Sequence, residues 1–181
     1  MTNFGTAITA SLASIALVVS AFDPPAKAFI WNASASVPIG LYAVQPANQI
    51  SVSDLVIVMP PEPLAVFLAE RHYLPKGRPL LKRVLARGGQ RVCREGAIII
   101  AYGVPFGYAR ERDGAGRDLP VWQGCRRIAD GDLFLMNWDS SDSFDSRYFG
   151  ALPRSTVIGR AIPVWTDEAG DDRFQWRAPT R

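Results

Sequence analysis

Ser34-Ala35-Ser36-Val37-Pro38-Ile39-Gly40-Leu41-Tyr42 follows an uncharged apolar N-terminus and opens a long region that reads mostly as strand. Ser36 is its candidate nucleophile. Alone the signal is weak, because Pro38 fixes its own φ, biases Val37 towards an extended backbone and is common in ordinary loops. Two further stretches give it weight. One is a lone lysine in an apolar run, Leu80-Leu81-Lys82-Arg83-Val84; the other is the Ser/Asp/Arg cluster Ser143-Phe144-Asp145-Ser146-Arg147-Tyr148-Phe149-Gly150.

The chain of 181 residues is long enough for one domain of ordinary size plus an N-terminal membrane segment. Hydrophobic residues make up 48% and charged residues 20%, which excludes a disordered chain. The 14 Pro and 15 Gly imply many turns and short elements and favour β over helix. The net charge of +3 comes from scattered basic residues with no basic run and no aromatic-interleaved patch, so no nucleic-acid partner is expected. Lysine occurs only at 27, 76 and 82, and arginine stays charged, so only these positions could supply a neutral amine.

Cys93 and Cys125 lack both the CxxC spacing and the histidine partners of a zinc site, and no metal or cofactor is called for. They pair as a disulfide if the domain lies outside the cytoplasm and stay buried thiols if it does not.

Phe4 to Phe22 is 19 residues without a charge, within the range that spans a bilayer as one helix. A buried helix and a cleaved signal peptide are the alternatives, and Ala26-Lys27-Ala28 has the form of a cleavage site. A basic leader is missing, however, and Asp23-Pro24-Pro25 ends the helix well before that site. Residues 1–28 are therefore read as a membrane anchor, with cleavage still open, 29–166 as the catalytic domain and 167–181 as a polar tail that frays. Charge does not settle the topology. The cysteine pair favours an inner-membrane protein with its catalytic domain in the periplasm.

Gly40 to Val44 and Leu55 to Met59 read as strands with turn residues between them. Leu64, Phe67, Leu68 and Arg71 share one side at helical spacing, which predicts the one short helix of the domain over Leu64 to Tyr73, stopped by Pro75-Lys76-Gly77. Leu80 to Ala86 is a strand broken by Gly88-Gly89. Gln90 to Cys93 and Ala97 to Ala101 form a hairpin turning at Arg94-Glu95-Gly96. Gly103 to Trp122 reads as an exposed loop without chemistry, and Asp132 to Met136 and Val157 to Val164 complete the strands.

The chain's one histidine, His72, sits on the expected helix without a partner, which leaves little room for a Ser/His/Asp or metal hydrolase. A serine hydrolase without histidine needs another base. A lysine serves if burial lowers its pKa from about 10.4 to about 7 or 8, roughly 4 kcal/mol of differential stabilisation. Alternation puts Leu80, Lys82 and Val84 on one face, so the Lys82 amine emerges among apolar neighbours unless it snorkels at the strand end.

The runs SASVPIGLY, LLKRVLARGGQRVC and GDLFLMNWDSSDSFDSRYFG resemble, in order and approximate spacing, the characteristic boxes of bacterial type I signal peptidases. PIGLY, DSRYFG, the compact size and the cysteine pair are most similar to the conjugative-transfer branch of that family. The resemblance implies a mainly β, antiparallel-sheet catalytic domain behind a signal-anchor helix. By position it makes Ser36 the nucleophile and Lys82 its base, with the Ser34 hydroxyl and the Ser36 N–H forming the oxyanion hole. Ser143 orients the lysine, and Asp145 and Arg147 hold that segment, Asp145 fitting better than Asp142; in conjugative-transfer peptidases an aspartate of this region is also implicated in activity. The chain departs from the pattern at Val37, at Ala86-Arg87-Gly88-Gly89-Gln90 and at Met136-Asn137-Trp138-Asp139, where neither Asn137 nor Asp139 receives a role. The resemblance implies a membrane-associated serine endopeptidase acting on an exported protein: a pilin precursor cleaved near its C-terminus and cyclised, with the conjugation or type IV secretion machinery as partner. The alternatives are a general signal peptidase acting on preproteins and a non-catalytic envelope component of the transfer apparatus.

Overall fold

The computed structural model describes residues 28–179. The run Phe4 to Phe22, expected to anchor the protein, lies outside the described residues. Among those described, no helix is long and apolar enough to cross a membrane.

Strands β1 (Phe29–Asn32) and β2 (Ile39–Gln45) form a hairpin around the serine-bearing loop. They are followed by β3 (Leu55–Val58), helix α1 (Glu62–Glu70) and β4 (Leu80–Arg87), which carries the lone lysine of the apolar run. A smaller group comes next: β5 (Arg91–Glu95), β6 (Ile98–Ala101), β7 (Val104–Tyr108) and β8 (Gly124–Arg127). The chain returns through β9 (Asp132–Leu135), the one-turn helix α2 (Ser146–Phe149), β10 (Leu152–Pro153), the long β11 (Val157–Asp167) and β12 (Gln175–Trp176). One antiparallel sheet runs β1-β2-β11-β3-β4-β9-β10, with β12 added to β11; β7-β6-β5-β8 is a second.

Strand alternation builds the core. On β3, Val56 and Val58 face Leu64 and Leu68 of α1, whereas Leu55 and Ile57 join Val37, Tyr42, Leu81 and Ala161 in a separate cluster. Both faces are thus covered, which is why β3 is apolar throughout. Burial of Leu68 alone contributes about 2 kcal/mol. Gly40 sits where β2 crosses β11 with φ +147°, and an added Cβ would lie 2.2 Å from the Trp165 carbonyl oxygen, so no other residue fits there.

The expected strands and helix are present, but β1, β7, β8, β10 and β12 come in addition to them, and other expectations are corrected. α1 ends at Glu70 rather than Tyr73, because His72 turns left-handed (φ 57°) and the Tyr73 amide donates to the Leu68 carbonyl, closing the helix before Pro75 is reached. The small hairpin turns at Gly96-Ala97, two residues later than expected, since Glu95 pairs with Ile98 and Gly96 supplies the positive φ. α2 is a second helix, a single turn too short for a periodic pattern and capped by Asp145. Nor does the tail fray along its first half: the buried Asp167 carboxylate accepts the amides of Gly170, Asp171 and Asp172, and Phe174 packs between Trp31 and Trp165.

Candidate active site

The loop between β1 and β2 presents Ser34 and Ser36 at the mouth of a cavity of about 1000 Å³ whose walls include Ile30, Ile57 and Leu81. Their hydroxyl oxygens are 2.9 Å apart, and the Ser36 N–H donates to Ser34 Oγ at 3.4 Å. The nucleophile candidate and the two donors expected of an oxyanion hole are therefore gathered at one point. Tyr42, fully buried on β2, donates its hydroxyl to the Pro38 carbonyl at 2.6 Å, and burial raises its pKa. The PIGLY run is accounted for by this tie and by the close approach at Gly40.

Lys82 reaches the same cavity from β4, opposite Val56 of β3. Only 3% of the residue is exposed, and Nζ donates a 2.8 Å hydrogen bond to Ser143 Oγ, itself 2% exposed. Its strand neighbours behave as alternation requires, Leu80 and Val84 packing in one cluster and Leu81 in another. Burial pushes the amine down from 10.5 to about 8; the Asp145 charge opposes this and the Arg147 charge adds to it. A buried lysine in this range has a useful fraction of neutral amine near neutral pH.

Asp145 makes no hydrogen bond to the lysine. Its Oδ1 accepts from Arg147 Nε at 2.8 Å and from the Arg147 amide at 3.2 Å, and its Oδ2 from Arg147 Nη2 at 2.9 Å and the Asn137 amide at 3.1 Å. The Arg147 guanidinium also donates to the carbonyls of Ser140, Ser143 and Tyr108. Through this buried pair the segment bearing Ser143 is closed on itself and tied to Tyr108 of β7, because a guanidinium fork can grip several oxygens at once. Asp142 lies elsewhere, exposed on the cavity rim and ion-paired with Arg110.

Two features were missed from the sequence. Asn137 has a definite place: its Oδ1 accepts the Arg83 amide at 2.9 Å and its Nδ2 donates to the Leu81 carbonyl at 3.2 Å, so one side chain pins β4 on both sides of Lys82. Nothing in Met136-Asn137-Trp138-Asp139 signals this, since the contact joins positions 54 residues apart. The stretch expected as a loop without chemistry, Gly103 to Trp122, instead contributes β7 and then folds over the cavity. Asp113 there accepts from Tyr73 and Arg117, contacts that hold its carboxyl well below the usual range. Ala109 and Leu119 pack on Tyr148 of α2.

His72 is exposed and outside the cavity. Cys93 and Cys125 stand opposite one another on β5 and β8 and are disulfide-bonded, stapling the small sheet. That sheet reaches the site through Arg94, which is 3% exposed and donates from Nη1 to the Arg147 carbonyl at 2.9 Å.

A family model described as signal peptidase, peptidase S26, matches residues 1–166. A probable conjugal transfer protein TraF of Sinorhizobium fredii is 36% identical over 75% of this chain and 76% of its own. The conjugal transfer protein TraF of Agrobacterium fabrum is 37% identical over 75% of this chain and 81% of its own. The solved structure of a signal peptidase I from Enterococcus faecalis is 16% identical, covers 62% of this chain and 97% of its own, and superposes with a TM-score of 0.38.

Proposed function

The chain belongs to the signal peptidase family, peptidase S26, among its TraF-type members, and from that premise we propose that it is a membrane-associated serine endopeptidase working through Ser36 and Lys82. The observation that carries this reading is the Lys82 side chain, buried among apolar neighbours, bonded to the Ser143 hydroxyl and lining the same cavity as Ser36; burial lowers its amine to about 8, in keeping with a base.

In this reading neutral Lys82 takes the Ser36 hydroxyl proton as Oγ bonds to the scissile carbonyl carbon. The carbonyl oxygen, now negative, is met by the Ser36 N–H and the Ser34 hydroxyl. Collapse breaks the carbon–nitrogen bond, Lys82 returns its proton to the leaving amine, and an acyl-enzyme remains on Ser36. Water then resolves it to a linear product, or an amine of the substrate itself does so to give a ring. The second outcome is favoured when the amine is held at high effective molarity.

The substrate we propose is a conjugative pilin precursor, supported by the likeness to conjugal transfer proteins TraF. An anchor over Phe4 to Phe22 would keep Ser36 close to the bilayer on the periplasmic side, where such a substrate remains tethered. Co-expression of the pilin precursor with wild-type or Ser36→Ala protein, followed by weighing of the product, tests the reading. A mass one water below the linear cleaved chain means cyclisation, a linear product from many preproteins means a general signal peptidase, and processing by Ser36→Ala defeats the assignment.

A further inference from the structure

Asn32 ends β1 opposite Gly40, at the closing pair of the hairpin whose loop holds Ser36. Among the described residues its side chain bonds only within that loop. Nδ2 lies 2.7 Å from the Ser34 carbonyl oxygen, 3.1 Å from that of Val37 and 3.0 Å from that of Pro38, while Oδ1 accepts the Ser34 amide at 3.2 Å. Reversing the amide would set its oxygen against three carbonyl oxygens, so the orientation is determined and its two protons are shared among three acceptors.

Packing and the Tyr42 hydroxyl hold this loop only at its far end, at Val37 and the Pro38 carbonyl. Ala33, Ser34 and Ala35 are exposed, and between Asn32 and Pro38 only Val37 is buried. The backbone there has left the ladder with β2, whose last pair is Asn32 with Gly40. Yet oxyanion-hole chemistry demands donors placed to within a fraction of an ångström. Asn32, 8% exposed, supplies the order that strand pairing and packing leave out.

We propose that Asn32 is a positioning residue for acyl transfer: its amide templates the 34–38 loop, so that Ser36 Oγ, the Ser36 N–H and Ser34 Oγ are held at one point of the cavity. Asn32 has no hydrogen bond to either serine side chain and acts through the backbone. The proposal rests on the Ser36/Lys82 reading.

The test uses the full-length protein, a peptide p-nitrophenyl ester as substrate, and a fluorophosphonate carried to completion to count competent serines. Asn32→Ala should lower kcat per labelled site about 100-fold with KM within about two-fold, as misplacement of a reacting group does. A pH midpoint unmoved from that of the wild type is also expected, because Lys82 is untouched. Asn32→Asp, of equal size, loses the donated protons while keeping the acceptor for Ser34, so it should be at least as impaired and gives a second reading where the alanine variant does not fold. Wild-type kcat per labelled site in either variant, with all lost activity traced to fewer folded molecules, would overturn the proposal. Wild-type protein no faster than Ser36→Ala would instead defeat the Ser/Lys reading beneath it.

Discussion

Lys82 donates its 2.8 Å hydrogen bond to a serine 61 residues further along the chain, Ser143, and both side chains are shut off from water. The amine therefore has a hydroxyl as its hydrogen-bonding partner where a carboxylate would have kept it charged. Asp145, whose charge does favour the ammonium form, has its oxygens engaged by Arg147 and the Asn137 amide. The lysine can then lose its proton near physiological pH.

Under the proposed Ser36/Lys82 mechanism, rate should rise with pH through about 8, the value to which burial lowers the Lys82 amine, because a protonated amine has no lone pair to accept the serine proton. Lys82→Ala should abolish turnover while leaving the fold intact. A pH–rate profile flat across this region would rule out an amine base.

The same burial has a thermodynamic consequence. Between about 8 and 10.5 the folded protein has released a proton that the unfolded chain still binds, so the contribution of Lys82 to stability improves as pH rises across that window. Below it the folded state carries the full penalty of a charged, desolvated amine, roughly 3 kcal/mol. Lys82→Met should therefore stabilise the protein more at pH 6 than at pH 10 in paired urea titrations. An equal gain at both values would contradict the linkage.

Arg147→Met should destabilise by about 3–5 kcal/mol, because it strands a buried carboxylate on Asp145. Arg147→Lys should recover little, since an ammonium cannot span the Asp145 oxygens together with the carbonyls of Ser140, Ser143 and Tyr108. Denaturant midpoints of the two variants decide the matter, and a loss below about 1 kcal/mol for Arg147→Met would show that the pair is not needed.

Cys93 and Cys125 close a loop spanning 32 residues of sequence, which in the chain-entropy account contributes about 3–4 kcal/mol. Reductant should lower the melting temperature. Arg94, next to Cys93, connects the stapled sheet to Arg147, so reduction should also lower turnover below the melting transition. Two free thiols in denatured, unreduced protein would rule the bond out.

Gly40→Ala should not yield folded protein, because the added Cβ would overlap backbone of β11 rather than a side chain able to move. Soluble, cooperatively unfolding Gly40→Ala would show that β2 can shift away from β11.

Much of the fold was legible where local physics speaks. Short apolar runs bounded by turn residues marked β3 and β4, glycine marked the small hairpin, and apolar spacing marked α1 to within a few residues. The misses share one cause: α2, the docked tail and the loop over the cavity are held by contacts with distant parts of the chain. Phe174 of the tail packs on Trp31 at the other end of the domain sequence, and Asp113 meets Tyr73 across 40 residues.

By itself the sequence determined the chemistry available: one candidate hydroxyl ahead of Pro38, one lysine in an apolar strand, and a Ser/Asp/Arg cluster to support it. Residue type and strand period suffice for that, being local properties. The family resemblance already set Ser143 beside Lys82 and Asp145 with Arg147; only the tertiary structure decided that the lysine is shut off from water, that Asn137 pins β4 on both sides of it, and that Asn32 bonds across the serine loop. A lowered amine pKa arises from desolvation, and desolvation belongs to the packed assembly of strands and not to any stretch of chain.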